Sequence, residues 1–108
     1  MDSIRKEIGF AMMEARKKAK IPRTAVAEKL GVSDVAVYYW EIGKNPIDVD
    51  VLKDYCDIIG IDWIALLMST PSYQKSIKKK LKVSGYKLAH LLRHMLPNYR
   101  SIQVQVQY

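Results

Sequence analysis

The chain has 108 residues, a net charge of +7 and 49% hydrophobic residues, enough for one small domain with an appendage and a core of its own. It holds a single cysteine, Cys56, which excludes an intramolecular disulfide framework and fits a reducing cytoplasmic compartment. No apolar run is long enough to cross a bilayer, and residues 1–7 are charged with one large aliphatic side chain, Ile4, so neither a membrane partner nor a signal peptide is expected.

Taken in order, Ser3 is placed to cap a first helix over residues 4 to about 19. Its apolar stripe is Ile4, Ile8, Ala11 or Met12, Ala15 and Ala19. Residues 21–45 then read as two short helices joined by a tight turn. Ala25, Val26, Lys29 and Leu30 carry the first period, and Gly31 stops it, because a turn after a helix often needs a left-handed backbone that glycine adopts cheaply. Ser33 is an N-cap, Asp34 places a negative charge where the helix dipole favours it, and Val37 and Trp40 recur on the inward side of the second helix. Gly43 ends it.

This stretch resembles the helix-turn-helix of the phage repressor and Cro family, also called the XRE family, over roughly residues 4–68. The matching positions are Arg23, Ala27, Leu30, Gly31, Val32, Ser33, Val37, Trp40, Glu41, Gly43 and Lys44. The resemblance implies a five-helix, all-α, repressor-like DNA-binding domain. It also implies a structural ion pair between Arg16, seven residues before Arg23, and Glu41. Pro22 departs from the family, which usually has Ser or Thr as the cap there; its fixed φ suits a first turn, but it supplies no cap oxygen.

After the loop 44–47, Asp48 is placed to cap a fourth helix to about residue 59, striped by Val49, Leu52, Cys56 and Ile59, with Cys56 a buried core residue. Gly60 ends it. Asp62 caps a fifth helix over 63 to about 68, in which Trp63, Ile64, Leu66 and Leu67 close the core. Residues 1–69 thus form the helix-turn-helix domain and residues 70–108 a basic extension.

The extension departs sharply in charge. Residues 1–70 hold ten Lys or Arg against eleven Asp or Glu, whereas residues 71–108 hold eight Lys or Arg and no acid, a block that commonly meets an anionic partner such as nucleic acid. Thr70 and Pro71 predict a sixth helix from 71 to about 82, with a thin apolar set, Tyr73, Ile77 and Leu81, and a lysine-rich face formed by Lys75, Lys78, Lys79, Lys80 and Lys82. A seventh helix is expected over 86–96. Residues 101–108 alternate strictly, with Ile102, Val104, Val106 and Tyr108 on one face, which predicts a terminal β-strand. A lone strand leaves its polar backbone unpaired, so Ile102, Val104 and Val106 are expected to dimerise two copies. The pattern is still running at Tyr108, as it would ahead of a further C-terminal domain.

In the resembling family, early side chains of the second motif helix reach base edges and flanking groups hold phosphates. By position, the base-reading residues are Asp34, Val35, Tyr38 and Tyr39, and the DNA-backbone residues are Arg23, Lys44 and Asn45. The partners so implied are double-stranded DNA and a second copy of the chain, in a bacterial or phage-infected cell. The base-reading set is unusually apolar and aromatic, however, and tyrosine is enriched at protein interfaces, so a regulatory protein-interaction module of antirepressor or adaptor type is the alternative. Catalysis finds no support, and no cofactor is implied. His90 and His94 share a helix face, but no glutamate lies between them and the extension has no Cys or acid to complete a metal site.

Overall fold

A computed structural model describes residues 2–81, together with Lys87 and His90 as separate helical positions. Six helices follow one another: α1 (Asp2–Lys18), α2 (Arg23–Leu30), α3 (Asp34–Glu41), α4 (Val49–Ile59), α5 (Trp63–Met68) and α6 (Pro71–Leu81). The described residues contain no strand, so the fold is all-α. The expected seventh helix, the strand over 101–108, the dimerising residues Ile102, Val104 and Val106, and Lys82 lie outside the described residues.

Three helices end in the same hydrogen-bonding motif, and local sequence explains two of them. After α2, Val32 N–H reaches back to the Ala27 carbonyl at 3.0 Å and Gly31 adopts φ +70°. After α4, Ile61 N–H bonds the Cys56 carbonyl at 3.0 Å around Gly60. After α1 no glycine is available, and Lys20 takes the left-handed conformation at φ 60° while Ile21 N–H bonds the Arg16 carbonyl at 3.2 Å.

The starts of the helices divide differently. Ser33 Oγ accepts from Ala36 N–H at 3.0 Å and Asp62 Oδ1 from Ile64 N–H at 2.8 Å, as capping predicts. Asp48 stands at the N-cap of α4 but its side chain accepts no capping hydrogen bond, and Pro22 at the N-cap of α2 has no side-chain acceptor to offer. Ser3 lies inside α1, which begins one residue earlier, at Asp2. Thr70 does not cap α6 either, since its hydroxyl donates back to the Leu67 carbonyl at 2.7 Å. The cap comes from across the fold. The Glu7 carboxylate on α1 accepts from Ser72 N–H at 2.7 Å and from Ser72 Oγ at 2.5 Å, placing a negative charge at the positive end of the α6 dipole.

The core gathers Ala11, Met12 and Ala15 of α1, Val26 and Ala27 of α2, Val37 of α3, Leu52, Tyr55, Cys56 and Ile59 of α4, Ile61, and Ala65 and Leu66 of α5. Several stripe residues expected inside are outside. Ile4 and Ala19 are exposed because they lie at the two ends of α1, beyond the helices packed on its middle. Val49, in the first turn of α4, is 56% exposed, and Tyr55 fills the core at the next turn instead. Ile64 is exposed and Ala65 buried, a shift of one residue around α5. On α6, Ile77 packs against the core, Tyr73 faces out and Gln74 is fully buried, its Nε2 donating to the Ser69 carbonyl at 3.1 Å.

The position of α3 depends on one glycine that periodicity does not single out. A Cβ on Gly9 of α1 would lie 2.5 Å from the Glu41 carbonyl oxygen, and nearer still to that of Trp40. The C-terminal end of α3 therefore lies directly on the backbone of α1.

Candidate nucleic-acid interface

Helix α3 has two unlike sides. Val37 and Glu41 are buried, while Val35 and Tyr38 face solvent at 53% and 41% exposure. The buried side carries a charge, which must be satisfied to sit there. Arg16 grips Glu41 with two hydrogen bonds, Nε to Oε2 at 2.7 Å and Nη2 to Oε1 at 3.0 Å, and its Nη1 donates to the Ile21 carbonyl at 3.0 Å. The Tyr55 hydroxyl lies 2.6 Å from Glu41 Oε2 and 3.0 Å from the Met12 carbonyl; its single proton is best used on the carboxylate, the stronger acceptor. The bond to Glu41 raises the Arg16 pKa, and burial, reinforced by Glu41, raises that of Tyr55. One guanidinium thus joins the end of α1, the entry to α2 and the end of α3, and α4 adds the tyrosine. Sequence reasoning missed Tyr55, although its spacing from Leu52 and Ile59 (three and four residues) is a helical-face signal.

The outward side is assembled as well. Arg23, the first residue of α2, makes a forked pair with Asp34, the first residue of α3, Nε to Oδ1 at 3.1 Å and Nη2 to Oδ2 at 3.2 Å. Its guanidinium also lies over the Tyr38 ring at 4.9 Å from the centroid. Tyr38 and Tyr39 rings are 5.9 Å apart, and the Lys44 ammonium stands 4.3 Å over Tyr39. The loop is tied down, since Lys44 N–H and Asn45 N–H both donate to the Tyr39 carbonyl, at 2.9 and 3.2 Å. The result is a two-ring layer with a cation at each end. Of the seven expected contact residues, Asp34, Val35, Tyr38 and Tyr39 thus lie on α3, Lys44 and Asn45 on the loop after it, and Arg23 at the start of α2, paired with the first residue of α3.

A family model described as helix-turn-helix matches residues 12–66, more than half of the chain. The chain belongs to the helix-turn-helix family. The match runs from the middle of α1 into α5 and takes in both helices of the motif and both residues of the buried ion pair. Members of this XRE-type family are DNA-binding transcriptional regulators, and that general role extends to this chain. Comparison with curated proteins gave no match, and comparison with solved structures gave none.

In the helix-turn-helix frame, α3 occupies the place of the helix that enters the major groove, and α2 crosses behind it. The basic residues of α6 lie outside the family match. Lys75 and Lys79 are exposed, Lys78 is half-buried, and Lys80 belongs to the same helix. Elsewhere, Cys56 is fully buried, and burial pushes its thiol up to about 12, which removes it from nucleophilic chemistry at neutral pH. Among the described residues no helix is long and apolar enough to cross a membrane, and no three His, Cys, Asp or Glu side chains come together as a metal site would require.

Proposed function

We propose that this protein is a sequence-specific transcriptional regulator, a repressor of phage or prokaryotic type, which binds a two-fold-related operator as a dimer. Support comes above all from the division of α3, whose inner side is held through Glu41 to α1 and α4 while Val35 and Tyr38 are exposed on its outer side. Val35 meets thymine methyls, Tyr38 and Tyr39 present hydroxyls to bases or phosphates, and Asp34 accepts from a cytosine amino group when Arg23 turns to a phosphate. Lys44 and Asn45 hold the backbone beyond the helix. The two half-sites lie about one helical turn, ~34 Å, apart. Residues 70–108 form the dimerising and phosphate-neutralising unit, with Ile102, Val104 and Val106 pairing across the two-fold axis and Lys75, Lys78, Lys79, Lys80 and Lys82 adding salt-sensitive affinity.

Selection from random-sequence DNA by the full chain, at two salt concentrations, tests this. One enriched two-fold motif that survives the higher salt supports sequence readout, whereas binding that enriches nothing and vanishes with salt leaves only lysine–phosphate attraction. One observation favours a second reading. The Arg23–Asp34 pair neutralises the start of α3, so Val35, Tyr38 and Tyr39 offer an aromatic face of low charge, suited to a protein partner in an antirepressor or adaptor. Lys75→Gln combined with Lys79→Gln separates the two, because it weakens DNA binding under the first and leaves partner binding on α3 intact under the second.

A further inference from the structure

A groove of about 440 Å³ opens between the N-terminal half of α1, the end of α3 and the loop that follows. Ile4 is 45% exposed at its mouth, Ile8, Trp40 and Ile47 are half-buried along its walls, and Gly9 contributes bare backbone. A volume of this size, with mostly apolar walls and a few polar groups at fixed points, is what small-molecule sites have. The polar groups here are Arg5 and Asn45, and among the described lining residues there is no carboxylate. Among the described residues Arg5 makes an exposed hydrogen bond of 3.4 Å from Nη1 to the Lys44 carbonyl, which occupies one of its five donors.

We propose that this groove binds a small organic anion, an alkyl or aryl body bearing one carboxylate, with the body against Trp40, Ile8 and Ile47 and the carboxylate on the Arg5 guanidinium. Charge complementarity selects this occupant. Among the described lining residues the one ionisable group is a half-buried cation, and a guanidinium fork matches a carboxylate in both geometry and sign. A wholly apolar ligand would leave Arg5 facing hydrocarbon, and a cation would be repelled. The groove is also joined to the outer face of α3. An occupant would touch Trp40, which follows Tyr39 on α3, and would replace the long Arg5 contact to Lys44. Binding itself requires nothing of the DNA reading.

The test is titration of the full chain, without DNA, with octanoate and decanoate below their micellar range, and with 1-decanol as the neutral match. Calorimetry follows the wild type, and indole fluorescence follows a Trp63→Phe background in which Trp40 is the sole reporter. We expect saturable one-site binding of decanoate, a change in Trp40 emission, tenfold or greater weakening by Arg5→Gln through loss of a charge-assisted bond, and loss of binding on filling the groove with Ile4→Trp. The proposal is overturned if decanoate fails to saturate, if 1-decanol binds as tightly as decanoate, or if Arg5→Gln leaves the affinity unchanged while circular dichroism shows the variant folded. A failure of any DNA assay leaves these results untouched.

Discussion

Replacing Arg16 by methionine tests the buried centre of the fold. The substitution keeps the apolar stem and removes the guanidinium, so packing loss is small and the cost falls on Glu41. That carboxylate is 3% exposed and would retain a single partner, the Tyr55 hydroxyl, having lost both of its hydrogen bonds from Arg16. Removing one member of a buried ion pair costs about 3–5 kcal/mol, against a total stability of about 5–15 kcal/mol for a small domain. Arg16→Met should therefore remove a large fraction of the stability. Glu41→Leu should cost a similar amount, because it strands the Arg16 guanidinium and leaves the Tyr55 hydroxyl with only the Met12 carbonyl. The double variant should be far less damaged than the sum of the two, since an apolar pair of similar volume is often nearly neutral. Urea unfolding of the four proteins completes the cycle. A cost below about 1 kcal/mol for Arg16→Met, or additive single costs, would show that Glu41 reaches water and that the pair does not brace α3.

Three further tests address separate parts of the molecule. Gly9→Ala should lower stability by about 1–3 kcal/mol in thermal or urea melts even though alanine is the better helix former, because the new methyl meets backbone of α3 on both the Trp40 and Glu41 carbonyls; a stabilised variant would refute that close approach. Alkaline stability should fall with a defined sign. Cys56 is raised from its ordinary 9.0 to about 12 and Tyr55 above its ordinary 10.0, so both groups keep their protons in the folded state after the unfolded chain has lost them, and stability is fully present below pH 9 and declines above it. The slope is about 1.4 kcal/mol per pH unit for each group, and Cys56→Ala should flatten the portion that begins near pH 9 in urea melts taken from pH 8 to pH 10.5. Asp34→Ala should change stability by less than about 1 kcal/mol, since its pair with Arg23 is about one-third exposed, yet raise affinity for non-cognate DNA by freeing Arg23 for a phosphate and relax the preference at the base pair Asp34 reads, measured by binding isotherms on selected and random DNA at several salt concentrations; a uniform loss of affinity on both would mean that Asp34 positions Arg23 rather than restraining it.

Local signals in the sequence carry most of the helix-turn-helix. Gly31, Ser33, Gly60 and Asp62 act within four residues of themselves, and each does what its chemistry predicts. The failures are non-local or terminal. Ile4, Ala19 and Val49 have the right period but lie at helix ends with nothing packed over them, and periodicity says nothing about where a helix stops being covered. Thr70 looks like a cap, but its hydroxyl donates to the Leu67 carbonyl, and the Ser72 N–H in the first turn of α6 is met by Glu7, 65 residues away. Gly9 reads as a weak point in α1 until the end of α3 is laid on it. Tyr55 was within reach, because 52, 55, 56 and 59 form a better helical face than 49, 52, 56 and 59; hydroxyl-bearing residues are easily left out of an apolar stripe even when a buried carboxylate needs them.

The charge pattern of the sequence takes on a different meaning once Arg23 is seen to lie on Asp34. Read residue by residue, an aspartate at the start of a groove-entering helix repels phosphate, and an arginine eleven residues earlier attracts it. Paired, they are a neutral unit held against Tyr38, so the outer face of α3 carries little net field beyond Lys44. Long-range attraction to a polyanion then has to come from elsewhere in the chain, and the eight basic residues after position 70, with no acid among them, are the one concentrated source. Two of the exposed ones, Lys75 and Lys79, sit on a helix whose N-terminus is fastened to α1 through Glu7, and α1 is in turn fastened to α3 through Arg16. In the proposed regulator, attraction and readout are therefore assigned to different elements joined by two buried or half-buried carboxylates. Salt dependence and sequence preference should respond to different substitutions for that reason.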